Sequence, residues 1–361
     1  MRCAIFLGLL FAGGVCAPAS ADDLFRVDKP IPEGDEEILQ TMEAELAKAS
    51  DSEKAEIAQQ TLNSHFSNLR SDIAKARALV GVGNLLANSE RPKEAAVVLR
   101  RAWKEHGDNN MGLLAAALLV QLSRDAFDYK KGLEIVNAIL REQSLSPKQE
   151  WYFLQLKANL VAASGDPASA AKMLQAVFID QPDLVQDETS LGMTLEEIAS
   201  VADTQGNSKV YYQVLQWISN TLPQYAADSR FLGNIAHAAQ EAGDIDASIS
   251  LRKMIVLQFP KDHRAAQHML EIGNLLREKK KYEEAREYYR MSVKAAHDDP
   301  ELRSIANIAE QNLKSMQHEK SKKHVSLKKA SDKTWRPLFV WANILMACAI
   351  VLGIVIKMRF W

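Results

Sequence analysis

Cysteines, histidines and paired acids are the side chains here whose types could do chemistry, and their placement argues against it. Cys3 and Cys16 lie in the first apolar segment and Cys348 in the last. The long stretch between them therefore has no thiol nucleophile, thiolate metal site or disulfide, which suits an oxidising or a reducing compartment equally. The eight histidines are scattered. The nearest pair, His263 and His268, is five apart and off a shared helical face, a poor spacing for two metal ligands. Glu196-Glu197 and Glu283-Glu284 read as solvated helix faces rather than acid–base pairs. No phosphate-cradling glycine loop, HExxH or nucleophile elbow occurs. The sequence predicts a protein that is not an enzyme and carries no metal or cofactor.

The elements that would position any site are helical in pattern. Of 361 residues, 47% are hydrophobic and 25% charged, a globular balance, and Ala, Leu, Glu, Gln and Lys recur throughout. The formal net charge of -2 excludes a basic, nucleic-acid-seeking surface for the chain as a whole. Apolar residues return at three- and four-residue spacing, one buried stripe per segment.

Both ends fall outside that pattern. Arg2, the apolar run Ala4 to Val15 and the small-residue site Ala19-Ser20-Ala21 predict a secretory signal peptide over 1–21. Leu338 to Ile356 is an uncharged apolar run, long enough at about 1.5 Å per residue to cross a hydrocarbon core of roughly 30 Å. Trp335 and Trp341 flank one end and Phe360 and Trp361 the other, as interfacial aromatics do. The expected span is 337–357, followed by the short tail 358–361. Between body and span, 319–336 is a Lys-rich linker carrying Lys320, Lys322, Lys323, Lys328, Lys329, Lys333 and Arg336. Those charges favour a cytoplasmic flank, against the signal peptide. The export signal outweighs them, because long exported domains translocate largely regardless of flanking charge. The Lys320 to Arg336 segment is then a solvated linker or a contact with anionic lipid headgroups.

The interior repeats. Gly165 to Ala170 with Pro182, Gly206 to Tyr211 with Pro223, and Gly243 to Ser248 with Pro260 share one frame: a turn glycine five residues before a central position, and a proline twelve after it. This pattern resembles the tetratricopeptide repeat, a unit of roughly 34 residues built as helix, tight turn, helix and terminal proline. The units fall at 76–109, 110–146, 151–184, 192–225, 229–262 and 266–299. Leu79, Val82, Gly83, Leu86, Ala95, Leu99 and Ala102 occupy template positions in the first. Leu154, Ala158, Val161, Gly165, Ala170, Leu174, Val177 and Pro182 do so in the third. Met269, Ile272, Gly273, Leu276, Ala285 and Tyr289 do so in the last. The second unit needs a short insertion, and Tyr211 stands in the fourth where a small residue is expected.

The resemblance implies an all-α fold: a right-handed superhelical solenoid of helical hairpins over 73–318, with a concave groove, plus one C-terminal transmembrane helix. Ahead of it, 22–72 reads as a flexible leader with Pro30, Pro32 and Gly34, then N-terminal capping helices. Pro300 to His318 reads as a C-terminal capping helix. In the repeats this chain resembles, certain first-helix positions face the groove. Here they hold Asn84, Asn159, His237 and Asn274, with Gln121 at the matching place in the irregular second unit. Arg77, Arg230 and Arg277, together with Tyr152 and Gln155, stand at neighbouring groove positions. A ladder of carboxamides both donates to and accepts from a peptide backbone without reading its sequence, and arginines hold carboxylates through paired donors. The alternative is that these residues serve solubility, or bond the next unit's backbone.

The expected function is a membrane-anchored scaffold that binds protein or peptide partners, with no nucleic acid, in an exported domain of a bacterial envelope (periplasm). A tail-anchored, cytosol-facing adaptor is the rival on topology. An enzyme with a cryptic site and a homo-oligomeric structural element are rivals of other classes.

Overall fold

The computed structural model describes residues 24–25, 30–50, 53–185, 187–297 and 299–317. The expected signal peptide, Lys-rich linker, transmembrane helix and tail lie outside the described residues. Among those described, no helix is long and apolar enough to cross a membrane.

The helices come in pairs: α1 (Glu33–Ala47) with α2 (Lys54–His65), α3 (Asp72–Asn88) with α4 (Pro92–His106), and α5 (Asn110–Asp125) with α6 (Tyr129–Glu142). They continue as α7 (Pro147–Ala163) with α8 (Pro167–Asp180) and α9 (Glu188–Thr204) with α10 (Ser208–Thr221). Then come α11 (Ser229–Glu241) with α12 (Ile245–Gln258), α13 (Ala265–Glu278) with α14 (Tyr282–Ala296), and a last helix α15 over 303–317. The all-helical class is as expected, with no strand among the described residues.

The turn chemistry explains the pairing. From α3 onward, each first helix ends in a left-handed residue: Glu90, Phe127, Gly165, Gly206, Gly243 and Lys280, all with positive φ. At each, the next N–H reaches back five residues to the helix, as in Arg91 to Leu86, Asp166 to Val161 and Lys281 to Leu276. This closes the exposed carbonyls of the helix end. In four of these turns the side chain of the donor residue, Asp128, Asp166, Asn207 or Asp244, also caps the start of the second helix. One residue thus ends the first helix and starts the second. Second helices stop for a different reason. Gln181, Leu222 and Phe259 precede Pro182, Pro223 and Pro260, and all three leave the helical region near φ -120 to -139 and ψ 57 to 63. A following proline ring disfavours the helical conformation at the residue before it.

Packing follows from small residues at the crossings. A Cβ on Gly273 would lie 2.6 Å from the Tyr289 ring, so α13 and α14 can touch only at glycine. Tyr211, where the repeat pattern wants a small residue, is half-buried on α10.

The chain divides into two compact units after Ala227. The first holds α1 to α10. Its apolar interior includes Leu79, Leu86, Leu99, Val136, Ile139, Phe153 and Leu160. The second holds α11 to α15, where α15 buries Ala309 and Met316 against Ile272, Leu276 and Tyr289.

Candidate functional site

In the first unit the first helices lie side by side: α1 against α3, α3 against α5, α5 against α7, and α7 against α9. They make a continuous first-helix face, and the groove residues expected from the sequence in this unit stand on it. Three of the six, Arg77, Gln155 and Asn159, bond to a neighbouring helix. Arg77 on α3 pairs with Glu36 at 3.4 Å and Glu43 at 3.6 Å, both on α1. Burial pushes the Glu43 carboxyl up, partly offset by the Arg77 charge. Asn84, also on α3, is buried. Gln121 on α5 donates to Asp125 on its own helix at 2.9 Å.

α7 carries the densest set. Its start is a capping box: the Ser146 hydroxyl accepts from the Gln149 backbone, and Gln149 Oε1 accepts from the Ser146 N–H. About two turns later Gln155 donates to the Ser190 carbonyl, the Ser190 hydroxyl and the Thr194 hydroxyl on α9, at 3.1, 2.7 and 2.9 Å. Trp151 Nε1 donates to the same Ser190 hydroxyl. Asn159 donates to Glu197 on α9 at 3.0 Å, but its own Oδ1 is buried and accepts nothing. Arg124 on α5 reaches the same Glu197 at 3.7 Å. Tyr152 is packed edge-on against Phe153 and Phe25. Burial pushes its phenol up to about 12, against the pull of the Arg124 charge.

In the second unit the expected residues part company. His237 and Arg230 are exposed on α11, Arg230 lying 3.7 Å from Asp228. Asn274 on α13 is engaged twice, accepting from the Tyr289 hydroxyl at 2.9 Å and from Asn312 of α15 at 3.1 Å. Arg277 acts on the same Tyr289 hydroxyl. The structure therefore brings Tyr152, Gln155 and Asn159 together on α7, and Asn274 with Arg277 on α13.

Sequence reasoning missed three features. Arg124 and Glu197 bridge α5 to α9, though each looks like an ordinary solvated charge. Phe25 is an isolated aromatic in a proline-bearing stretch. The third lies inside the second unit, where Arg252 is buried with Ser248, Gln240 and His268 as its hydrogen-bond partners. His268 is only 6% exposed, and burial with the nearby Arg252 and Arg264 charges pushes its imidazole down to about 4. Burial would raise the Asp262 carboxyl, but bonds from Ser229 and from the Arg264 backbone and side chain hold it at about 2. His263 is exposed beside Asp262. No cluster of potential metal ligands occurs among the described residues.

A tetratricopeptide-repeat family model matches residues 267–298, which is α13 and α14 with the turn at Lys280. Residues 267–298 thus match a tetratricopeptide repeat. Similar solved structures include a tetratricopeptide repeat protein from Parabacteroides merdae ATCC 43184, 12% identical, covering 77% of this chain and 99% of its own, with a TM-score of 0.42. The apo form of RapI is 14% identical, with 72% and 97% coverage and a TM-score of 0.41. Pseudomonas aeruginosa pilF is 14% identical, with 66% and 98% coverage and a TM-score of 0.39. A search of curated proteins found no match. The tetratricopeptide repeat is consistent with a protein-interaction scaffold, and the geometry above places a bonded polar ladder on the first-helix face of one unit.

Proposed function

We propose that this chain is a non-enzymatic, membrane-anchored scaffold whose first-helix face in the first unit holds an extended segment of a partner protein. The observation that carries this reading is the continuous face that the first helices of this unit, α1, α3, α5, α7 and α9, make side by side. Carboxamides on such a face can donate to and accept from a partner's main chain. Asn159 stands on it and gives its NH2 group to Glu197. Arg124 and Glu197 beside it supply one charge of each sign for a passing main chain or side chain. Anchoring by 337–357 would raise the local concentration of the scaffold at a bilayer, so modest affinity would suffice. With the export signal at 1–21, the repeat would work in a bacterial envelope and organise a complex there.

Two measurements test this. A photo-cross-linking side chain at Gln121, on the first-helix face, should give discrete protein adducts in cells, while one at the exposed Val97 of α4 should give none. Equal labelling at both positions, or none at either, overturns the reading. Topology is separate. A mature N-terminus at Asp22, with the repeats open to protease from the outer face of sealed vesicles, supports export. The lysines of 319–336 favour the second reading, a cytosol-facing tail-anchored adaptor. An intact N-terminus with the opposite protection pattern selects it.

A further inference from the structure

The last two helices of the second unit leave a cleft between them. Arg286, early in α14, donates to the Met316 carbonyl in the last turn of α15 at 3.5 Å, which pins one end of the pair. Further along, the two helices part around a space of about 440 Å³, a size that suits a small ligand. Its lining is Arg290, Val293, Lys294 and His297 from the α14 side and Glu310 and Leu313 from α15. Val293 and Leu313 are half-buried and pack on the core of the unit, so they give the cleft an apolar wall. Arg290, Lys294 and His297 are exposed and follow one another at four- and three-residue spacing, which puts them on one edge of the helix. Nearby cations are taken: Lys279 by Asp246, Lys281 by Glu284 and Arg286 by Glu283. Arg290 and Lys294 have no hydrogen bond or ion pair to any described residue. The acid that lines the cleft, Glu310, lies 3.9 Å from Lys314 on its own helix. Two uncommitted cations beside an apolar wall fit an anionic amphiphile.

The length of the chain beyond α15 selects which amphiphile. α15 ends at 317 and the expected span begins at 337, so 318–336 is the whole tether. Its nineteen residues, fully extended, reach at most about 65 Å. The cleft is then held near a bilayer surface, where anionic lipid is present at far higher density than any dissolved anion. The tether brings the Lys320 to Arg336 cations to the same surface.

We propose that the α14–α15 cleft binds an anionic phospholipid, with its phosphate between Arg290 and Lys294 and its glycerol end against Val293 and Leu313. This rests on the anchored reading of 337–357. The arginine supplies paired donors to phosphate oxygens, and the lysine a second charge. Each such cation at an anionic surface contributes about fivefold in binding, so the pair contributes about twentyfold.

The test places the full chain in phosphatidylcholine vesicles that contain a photoreactive phosphatidylglycerol. The natural chain should form lipid adducts on α14 and α15, and a photoreactive phosphatidylcholine should form none. Arg290→Gln with Lys294→Gln should lower the yield about twentyfold, and both positions are exposed, so the fold should stay intact. Leu313→Asn leaves every cation in place and should also lower it. Equal yields from the two lipids, from the doubly substituted chain or from Leu313→Asn overturn the proposal. Should Leu313→Asn fail to fold, changing Lys320, Lys322 and Lys323 to Gln separates cleft from tether. Adducts kept on α14 then support the cleft, and a loss as large as that of the double variant overturns it. Displacement of the adducts by an acidic, leucine-containing peptide would assign the cleft to a protein segment and overturn it too. Alkaline carbonate washing tests the anchor separately. A chain that washes off loses the anchored reading and this inference together, whereas one that stays but forms no adducts loses this inference alone.

Discussion

Asn159 in the first unit and Asn274 in the second occupy the same position of their repeats, and their surroundings differ. Asn159 looks sideways to the next first helix, gives its NH2 to Glu197 and keeps an unmet oxygen. Asn274 looks to the second helix of its own hairpin and to α15, and its oxygen takes two donors. One side chain is half-used and the other saturated. The contrast extends further. The first unit spends its polar residues between first helices, as Gln155 does with Ser190 and Thr194. The second unit buries an arginine and a histidine inside itself. A repeat position therefore does not carry a function with it. What lies opposite decides how many of the residue's hydrogen-bonding groups the fold uses.

The comparison can be strained hardest at the close crossing of α13 and α14. Gly273→Ala drives a methyl group into the Tyr289 ring and should cost about 2–3 kcal/mol. Hydrogen exchange should show lost protection in α13 to α15 and unchanged protection in α3 to α9. Uniform loss would mean that the two units melt as one.

Acid should act next. His268 is held neutral, with its folded value near 4 against an ordinary 6.5. A depressed imidazole favours the folded state fully above pH 6.5, and that contribution drains away as pH falls towards 4. The loss is on the order of 2 kcal/mol once solvent screening is allowed for. Exchange from α12 and α13 should quicken across that window, and His268→Gln should flatten the response.

The two asparagines give the direct test. Asn274→Ala removes the acceptor shared by the Tyr289 hydroxyl and the Asn312 carboxamide and should cost about 1–2 kcal/mol. Asn159→Ala removes one hydrogen bond together with an unmet acceptor, so melting should shift by less than about 0.5 kcal/mol while partner adducts at Gln121 fall. Similar costs for the two would erase the distinction.

A further small effect concerns the turns. Lys280 adopts φ 61, where a side chain is strained. Lys280→Gly should raise the stability of the second unit by about 0.5–1 kcal/mol, and Gly243→Ala should lower it by about as much. Thermal melts of the paired variants check both signs.

Much of the fold was legible because it is local. Gly165, Gly206 and Gly243 announced three hairpin turns, and Pro182, Pro223 and Pro260 announced three helix ends. Glu90, Phe127 and Lys280 make the same left-handed turn without glycine, so those turns showed only in the apolar periodicity around them. The candidate face was legible in outline, since Tyr152, Gln155 and Asn159 do share α7. Their partners were not, because a hydrogen bond from Gln155 to Ser190 or from Gln149 to Leu24 depends on which helices meet.

By itself, the sequence determined the helical class, the hairpin rhythm and the family to which 267–298 matches. These follow from periodicity, turn residues and the steric demands of glycine and proline, which act within a few residues. Only the tertiary structure decided which polar groups are spent and which are left over. It set Phe25 against Tyr152, left the Asn159 oxygen unmet and buried His268 beside Arg252. Burial and hydrogen-bond satisfaction are properties of surfaces brought together from distant parts of the chain, and no local pattern encodes them.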